Sequence, residues 1–591
     1  MLTRREFGMT VGGAYVAAAA RLNAQDGRAV LDIADWSYWF YGVERARLAR
    51  GTVANGSQMF VERWIPRRQR HPYPVVLIHG GYGQGSDWLS TPDVPARAGQ
   101  APRGWVSAFL EQGYAVHVVD RPGQGRNPYY PFVHGPFDRE APTFEKLAAQ
   151  LKQDAGDPFV AQALASMNQP MANNANTQAL WKSRGALLLD DIGPAILVTH
   201  GDGDVFARVT ADARPQLVKG TLAVESMQPS ASWIASRVDP IGGAAPLPPN
   251  AEPANAEPLS LRLADQGGFW IGVRRKAMPY GTIAQGQMFV QYMIPAERRH
   301  QYPVVLVHGG GGQGTHMMGL GRRPGWVHYL VQSGYAVYWI DRPSYGRSPY
   351  HPDALGPSHL NNVPAYEGLV NATSVFKTAQ WPGPGGMDDP FINQFMACES
   401  GNTADEAFHS DLAWAGGVEL VDRIGPCILH GHAFGGFFGW GVADRRPGLV
   451  KGIVCIEING NPFERQLRWG LTALPMTYDP PVAALEDFKL VDRRPPADSP
   501  RPIADPYKLQ AEPARQWKNL KGIPIAWMTS ENGAGGSPVA NVEFLKQVGC
   551  TVDMLRLRDH GITGNGNLMP LEKNNREVFG VLRGWLDKNA L

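Results

Sequence analysis

Cysteine is scarce in this chain, with four in 591 residues: Cys398, Cys427, Cys455 and Cys550. No two of them form a C-x-x-C pair, so the sequence offers neither a zinc-binding motif nor a disulfide framework. No metal or cofactor is expected, and Cys427 and Cys455, which lie in apolar runs, read as free core thiols. An excess of charge is missing too. The chain carries 56 basic and 54 acidic residues and no polybasic run, which argues against nucleic acid or an anionic membrane surface as partner. Past the N-terminus no stretch is long and apolar enough to span a bilayer. A small ligand is the default partner, and nothing in the sequence identifies a protein partner.

Apolar content and length are not lacking. With 43% hydrophobic residues the chain exceeds one ordinary core, and two domains of roughly 200 to 300 residues are the natural division. At the N-terminus, Thr3-Arg4-Arg5-Glu6-Phe7 precedes a weakly apolar stretch from Met9 to Ala20. Residues 1–24 read as a twin-arginine export signal, which implies a periplasmic or extracellular destination.

One template is written twice. Gln58-Met59-Phe60-Val61 matches Gln287-Met288-Phe289-Val290, and Tyr73-Pro74-Val75-Val76-Leu77-Ile78-His79-Gly80-Gly81 matches Tyr302-Pro303-Val304-Val305-Leu306-Val307-His308-Gly309-Gly310. Asp120-Arg121-Pro122 and Asp341-Arg342-Pro343 continue the repeat, as do Ile192-Gly193-Pro194 and Ile424-Gly425-Pro426. This spacing marks a duplicated domain. The first copy is expected over 30–238, a Pro/Ala/Gly/Asn-rich linker over 239–258, and the second copy over 259–591, with an insertion at about 349–420. Short β-branched runs alternating with amphipathic segments predict an α/β class, a mostly parallel sheet flanked by helices. The first copy lacks the last two strands and ends after its sixth, which would leave a sheet edge to be covered.

The run His308-Gly309-Gly310-Gly311-Gly312 after a buried strand, the later Asp341-Arg342-Pro343, and Gly431-His432-Ala433-Phe434-Gly435-Gly436 together resemble the α/β-hydrolase family. The last segment has the form of a nucleophile elbow, G-x-S-x-G, with alanine at the serine position. More narrowly, the second copy resembles bacterial esterases whose triad acid is a glutamate after strand six and whose histidine lies in a G-N-x-H segment. That resemblance implies a fold of two tandem α/β-hydrolase domains and a carboxylesterase-like activity on apolar esters. It places the acid at Glu457 and puts Asn567, in Gly564-Asn565-Gly566-Asn567, where the histidine belongs. Glu531 is the alternative acid, and His560 the available substitute base. Oxyanion donors would be amides near Gly309, Gly310 and Phe434, beside His432, and the insertion would form a cap.

The first copy departs further. Its corresponding positions are Gly80, Gly81, Gly201, Asp202 and Glu225, with glycine at the nucleophile position. An elbow without a nucleophile leaves three readings open. One is an exported esterase-like hydrolase, another a pseudoenzyme binding an apolar ester, an acyl ligand or a protein, and the third a lyase using His560.

Overall fold

The computed structural model describes residues 29–90, 103–243, 259–357, 363–401, 405–495, 506–533 and 536–591. The arginine pair of the N-terminus and residues 244–258 of the expected linker lie outside them. The turn Asp239–Gly242 at the start of that linker is helical, and Ile241 packs over Gly220, so these residues belong to the first copy.

Six strands of the first copy enter the main sheet: β1 Leu31–Tyr41, β2 Met59–Pro66, β3 Val75–Ile78, β4 Val116–Asp120, β5 Ala195–His200 and β6 Val218–Val224. The second copy supplies eight: β7 Leu261–Ile271, β8 Met288–Pro295, β9 Val304–Val307, β10 Val337–Asp341, β11 Cys427–His432, β12 Val450–Ile456, β13 Pro524–Thr529 and β14 Thr551–Arg556. All fourteen form one sheet, in the order β14-β13-β12-β11-β9-β10-β8-β7-β1-β2-β4-β3-β5-β6. The inner strands β3 and β9 are continuous buried β-branched and leucine runs, as strands covered on both faces must be.

The copies join at their first strands. Leu31 to Ile33 pairs antiparallel with Leu261 to Leu263, so the truncated end of the first copy, β6, remains an outer edge of the sheet. Behind the joint a core of large rings spans both copies. Trp36 of the first copy sits 5.6 Å from Trp64 and 5.5 Å from Trp339 of the second.

A buried charge network crosses the same joint. Arg347 donates to Asp120 at 3.1 Å and to Glu62 at 3.0 Å, while Arg126 donates to Asp341 and, at 3.0 Å, to Gln291. Each arginine thus reaches the aspartate of the other copy. Burying such charges is tolerable only because each is paired and hydrogen-bonded. Two hairpins repeat the exchange at the periphery. Thr52, in the hairpin Arg45–Leu48/Gly51–Ala54, donates its amide to Glu367 at 2.8 Å, and Thr282, in the hairpin Arg274–Met278/Gly281–Gln285, donates to Glu145 at 2.9 Å. The arrangement is a dimer in one chain, with a pseudo-twofold axis between its halves.

Candidate functional site

The chain bends from β11 into the helix Gly436–Arg445 through the short turn Ala433–Gly435. Its glycines are sterically required: a Cβ on Gly431 would lie 2.5 Å from the Cα of Gly436, and one on Gly435 would lie 2.5 Å from the carbonyl of His308. Ala433 is buried, and its φ of +48° lies in the left-handed region. An L-residue pays roughly 1–2 kcal/mol there. The elbow therefore keeps its strained conformation while presenting only a methyl group.

Opposite the elbow runs the glycine loop. A Cβ on Gly309 would come within 2.8 Å of the Ala433 Cβ, so this position must stay bare for the two segments to meet. His308 holds the loop. Its Nδ1 donates to the Gly309 carbonyl at 2.9 Å, and its Nε2 accepts from the Arg342 amide at 3.0 Å. Burial and the Arg342 charge keep this ring neutral, well below the ordinary histidine range, so it is a strut and not a base. The Arg342 guanidinium donates to the carbonyls of Gly309 and Gly310, the latter at 2.6 Å. These bonds tie the loop carbonyls to the Arg342 side chain. Phe434, in the first turn after β11, contributes an amide that its own helix cannot satisfy. The glycine loop and the first turn of the helix thus meet around Ala433.

Glu457 follows β12, is buried, and also has φ +48°. It accepts from the Ser530 amide at 2.6 Å and the Ser530 hydroxyl at 2.9 Å. Ser530 and Thr529, which also donates to Glu457, are contacts that sequence reasoning missed. Glu531 is exposed and accepts only from the Gly564 amide at 3.2 Å among the described hydrogen bonds, so of these two glutamates Glu457 is the one enclosed in the protein.

The C-terminal loop comes to the elbow. His432 Nε2 donates to the Asn567 carbonyl at 2.8 Å, and the Asn567 amide donates to Ser374 of the insertion at 2.8 Å. Burial holds the His432 pKa below its ordinary value. Asn567 Oδ1 is buried without a hydrogen-bond partner among the described residues. Glu572 fixes the loop by accepting from Gly566, Asn565 and Thr378. Burial raises its carboxyl pKa, the more so beside Glu457.

His560 is not part of this assembly. It ends the turn Leu557–His560, is exposed, and joins none of the hydrogen bonds that link the elbow, Glu457 and Asn567. A polar loop after an edge strand is free to project into solvent, and here it does. The insertion builds its own core, with Trp381, Phe395 and Met396 packed among one another and against Leu568 and Leu571.

The first copy is built differently at the matching positions. Gly201 keeps the elbow conformation at φ +55°, and Asp202 leans across the glycine loop: a Cβ on Gly81 would lie 2.4 Å from its Oδ2 and one on Gly80 3.7 Å from its Oδ1. Arg121 sits 3.6 Å from the same carboxylate. Glu225, the partner position of Glu457, is exposed. The Asp202 carboxylate, half exposed, thus lies beside the glycine loop of the first copy.

Two family models match in tandem, one described as the alpha/beta hydrolase family over residues 75–294 and one as the alpha/beta hydrolase fold over residues 302–494. A curated relative from Fungal sp. (strain ATCC 74256), described as a probable secreted lipase, is 33% identical over 320 residues, covering 51% of this chain and 86% of the relative. Among solved structures, a novel bacterial esterase aligns over 58% of this chain and all of its own at 20% identity and a TM-score of 0.39. Naproxen esterase from Bacillus subtilis aligns over 54% of this chain and 91% of its own at 11% identity and a TM-score of 0.26. From the tandem matches, and from the identity over most of that relative, the chain belongs to the α/β-hydrolase family.

Proposed function

We propose that the second copy recognises the carbonyl of an apolar ester or acyl ligand and does not turn it over by a serine triad. One observation carries this reading. The strained elbow, the glycine loop and a buried acid are all retained, while the two positions that must move a proton hold a methyl group, Ala433, and a carboxamide, Asn567. Neither can generate or relay a nucleophile near neutral pH. Backbone amides need no particular side chain, so binding of the carbonyl oxygen survives the loss of chemistry. The ligand class draws support from the relative described as a lipase.

The expected result in calorimetric titration of the purified chain with a short aryl ester is saturable one-site binding, with the ester recovered intact. Absence of binding sinks the proposal, and so does release of the phenol at an enzymatic rate. Export rests on Arg4-Arg5 and on the word secreted in the relative's description. N-terminal sequencing of the protein recovered from outside the cytoplasm should begin near residue 25, and an intact Met1 there would contradict it.

A further inference from the structure

Three donor atoms outside the elbow converge on one point. His316 lies in the short helix Thr315–Met318 that follows the glycine loop, and Cys398 and Glu399 follow the helix Pro390–Ala397 of the insertion. His316 Nε2 is 3.1 Å from Cys398 Sγ and 3.4 Å from Glu399 Oε1, and the three ligand atoms all lie within 4.8 Å of one another. All three side chains are buried. We propose that His316, Cys398 and Glu399 form a site for a borderline-soft divalent cation of the zinc class.

The geometry separates this from a catalytic relay. A thiol, histidine and carboxylate acting in series would engage opposite nitrogens of the imidazole, one toward the nucleophile and one toward the acid. Here both partners face the same nitrogen. Convergence on a single point is what a metal ion at about 2.0–2.3 Å from N, S and O donors requires, and mixed imidazole, thiolate and carboxylate donors favour zinc over the hard cations magnesium and calcium.

The surroundings fit. Phe395 stacks on the His316 ring at 4.8 Å and fixes its plane. Ser400 Oγ is buried without a hydrogen-bond partner among the described residues and is one residue from the cluster, able to serve a fourth ligand. A polar cavity of about 50 Å³ between the copies is lined by Cys398, Ser400, Gln313 and Tyr130 and offers a path of entry. The first copy braces the site, since Tyr130 donates its hydroxyl to the Glu399 carbonyl at 3.0 Å. The Ser400 amide donates to Gly311 at 2.9 Å, which couples the cluster to the glycine loop.

The test uses the full chain, stripped with a chelator and titrated with cobalt(II), whose thiolate complexes absorb in the near ultraviolet. One equivalent should bind with a thiolate-to-cobalt charge-transfer band, and one equivalent of zinc should abolish it. Cys398→Ser should remove the band. Glu399→Gln should keep it but weaken binding by more than the ~10–100-fold that loss of an outer-shell partner costs. His316→Ala should do likewise. No band in the unaltered chain overturns the proposal and leaves a hydrogen-bonded cluster in which the Cys398 thiol donates to the Phe395 carbonyl. A band that persists in a folded Cys398→Ser variant overturns it as well, since another thiol would then be the ligand.

Discussion

Ala433 holds a conformation that its own side chain does not need. The left-handed φ costs an alanine roughly 1–2 kcal/mol, while glycine loses roughly 0.5–1 kcal/mol more than alanine in chain entropy on folding. The strain is the larger of the two, so Ala433→Gly should raise stability by about 0.5–1 kcal/mol in urea unfolding. A clear loss would mean that the methyl packing near Gly309 outweighs the backbone term. The first copy, with Gly201 at the same turn, has already taken that step. At this scale the sequence was legible wherever a motif fixes the backbone: the elbow, the glycine loop, Glu457 at its strand end and Asn567 beside the elbow. It was not legible where the three-dimensional route of a loop decides. His560 follows the last strand as a catalytic histidine would, yet faces solvent. His316 lies 82 residues from Cys398, and no spacing rule joins them.

Among elements, the joint between copies is the least expected feature. The repeats and the main strands could be read from β-branched runs, and the missing strands of the first copy from where its similarity fades. The pairing of β1 with β7 could not be, because edge-to-edge contact leaves no sequence motif. In retrospect the paired residues Asp120/Asp341 and Arg126/Arg347 carried a signal, since repeating both a buried acid and a buried base invites exchange between copies. The arginines are wholly buried, and removing one member of a buried pair typically costs 3–5 kcal/mol. Arg347→Met should therefore lower stability by about 3–5 kcal/mol, and both copies should unfold in one transition because the sheet is continuous. Two separated transitions in calorimetry, with only the second copy affected, would contradict that coupling.

The whole molecule is a fused pseudo-dimer in which the halves have diverged, one with Gly201 at the elbow and Asp202 beside its glycine loop, the other with Ala433 at the elbow. Its buried histidines also predict how it responds to acid. Burial lowers His117, His409 and His430 to about 3 and His134, His328 and His351 to about 4. Each folded pKa lies below the unfolded value near 6.5, so the folded state binds fewer protons than the unfolded one. The stability involved is present in full above pH 6.5 and is lost as pH falls through that value toward 3 to 4. Burial raises Asp87 to about 7 and Glu399 to about 8, which opposes the histidines between pH 7 and 5, but six rings outnumber two carboxyls, so urea unfolding should show lower stability at pH 5 than at pH 7. Equal or higher stability at pH 5 would contradict a net histidine contribution of this sign. The central claim, a carbonyl site that has lost its proton-moving chemistry, is tested most directly by the hydrolysis rate of a short aryl ester. It should be measured in the original chain and in an Ala433→Ser, Asn567→His double variant. Removing a triad member costs roughly 10⁴- to 10⁶-fold in kcat in serine proteases, so the double variant should exceed the original by about 10³-fold or more. Equal rates in two folded proteins would contradict the account.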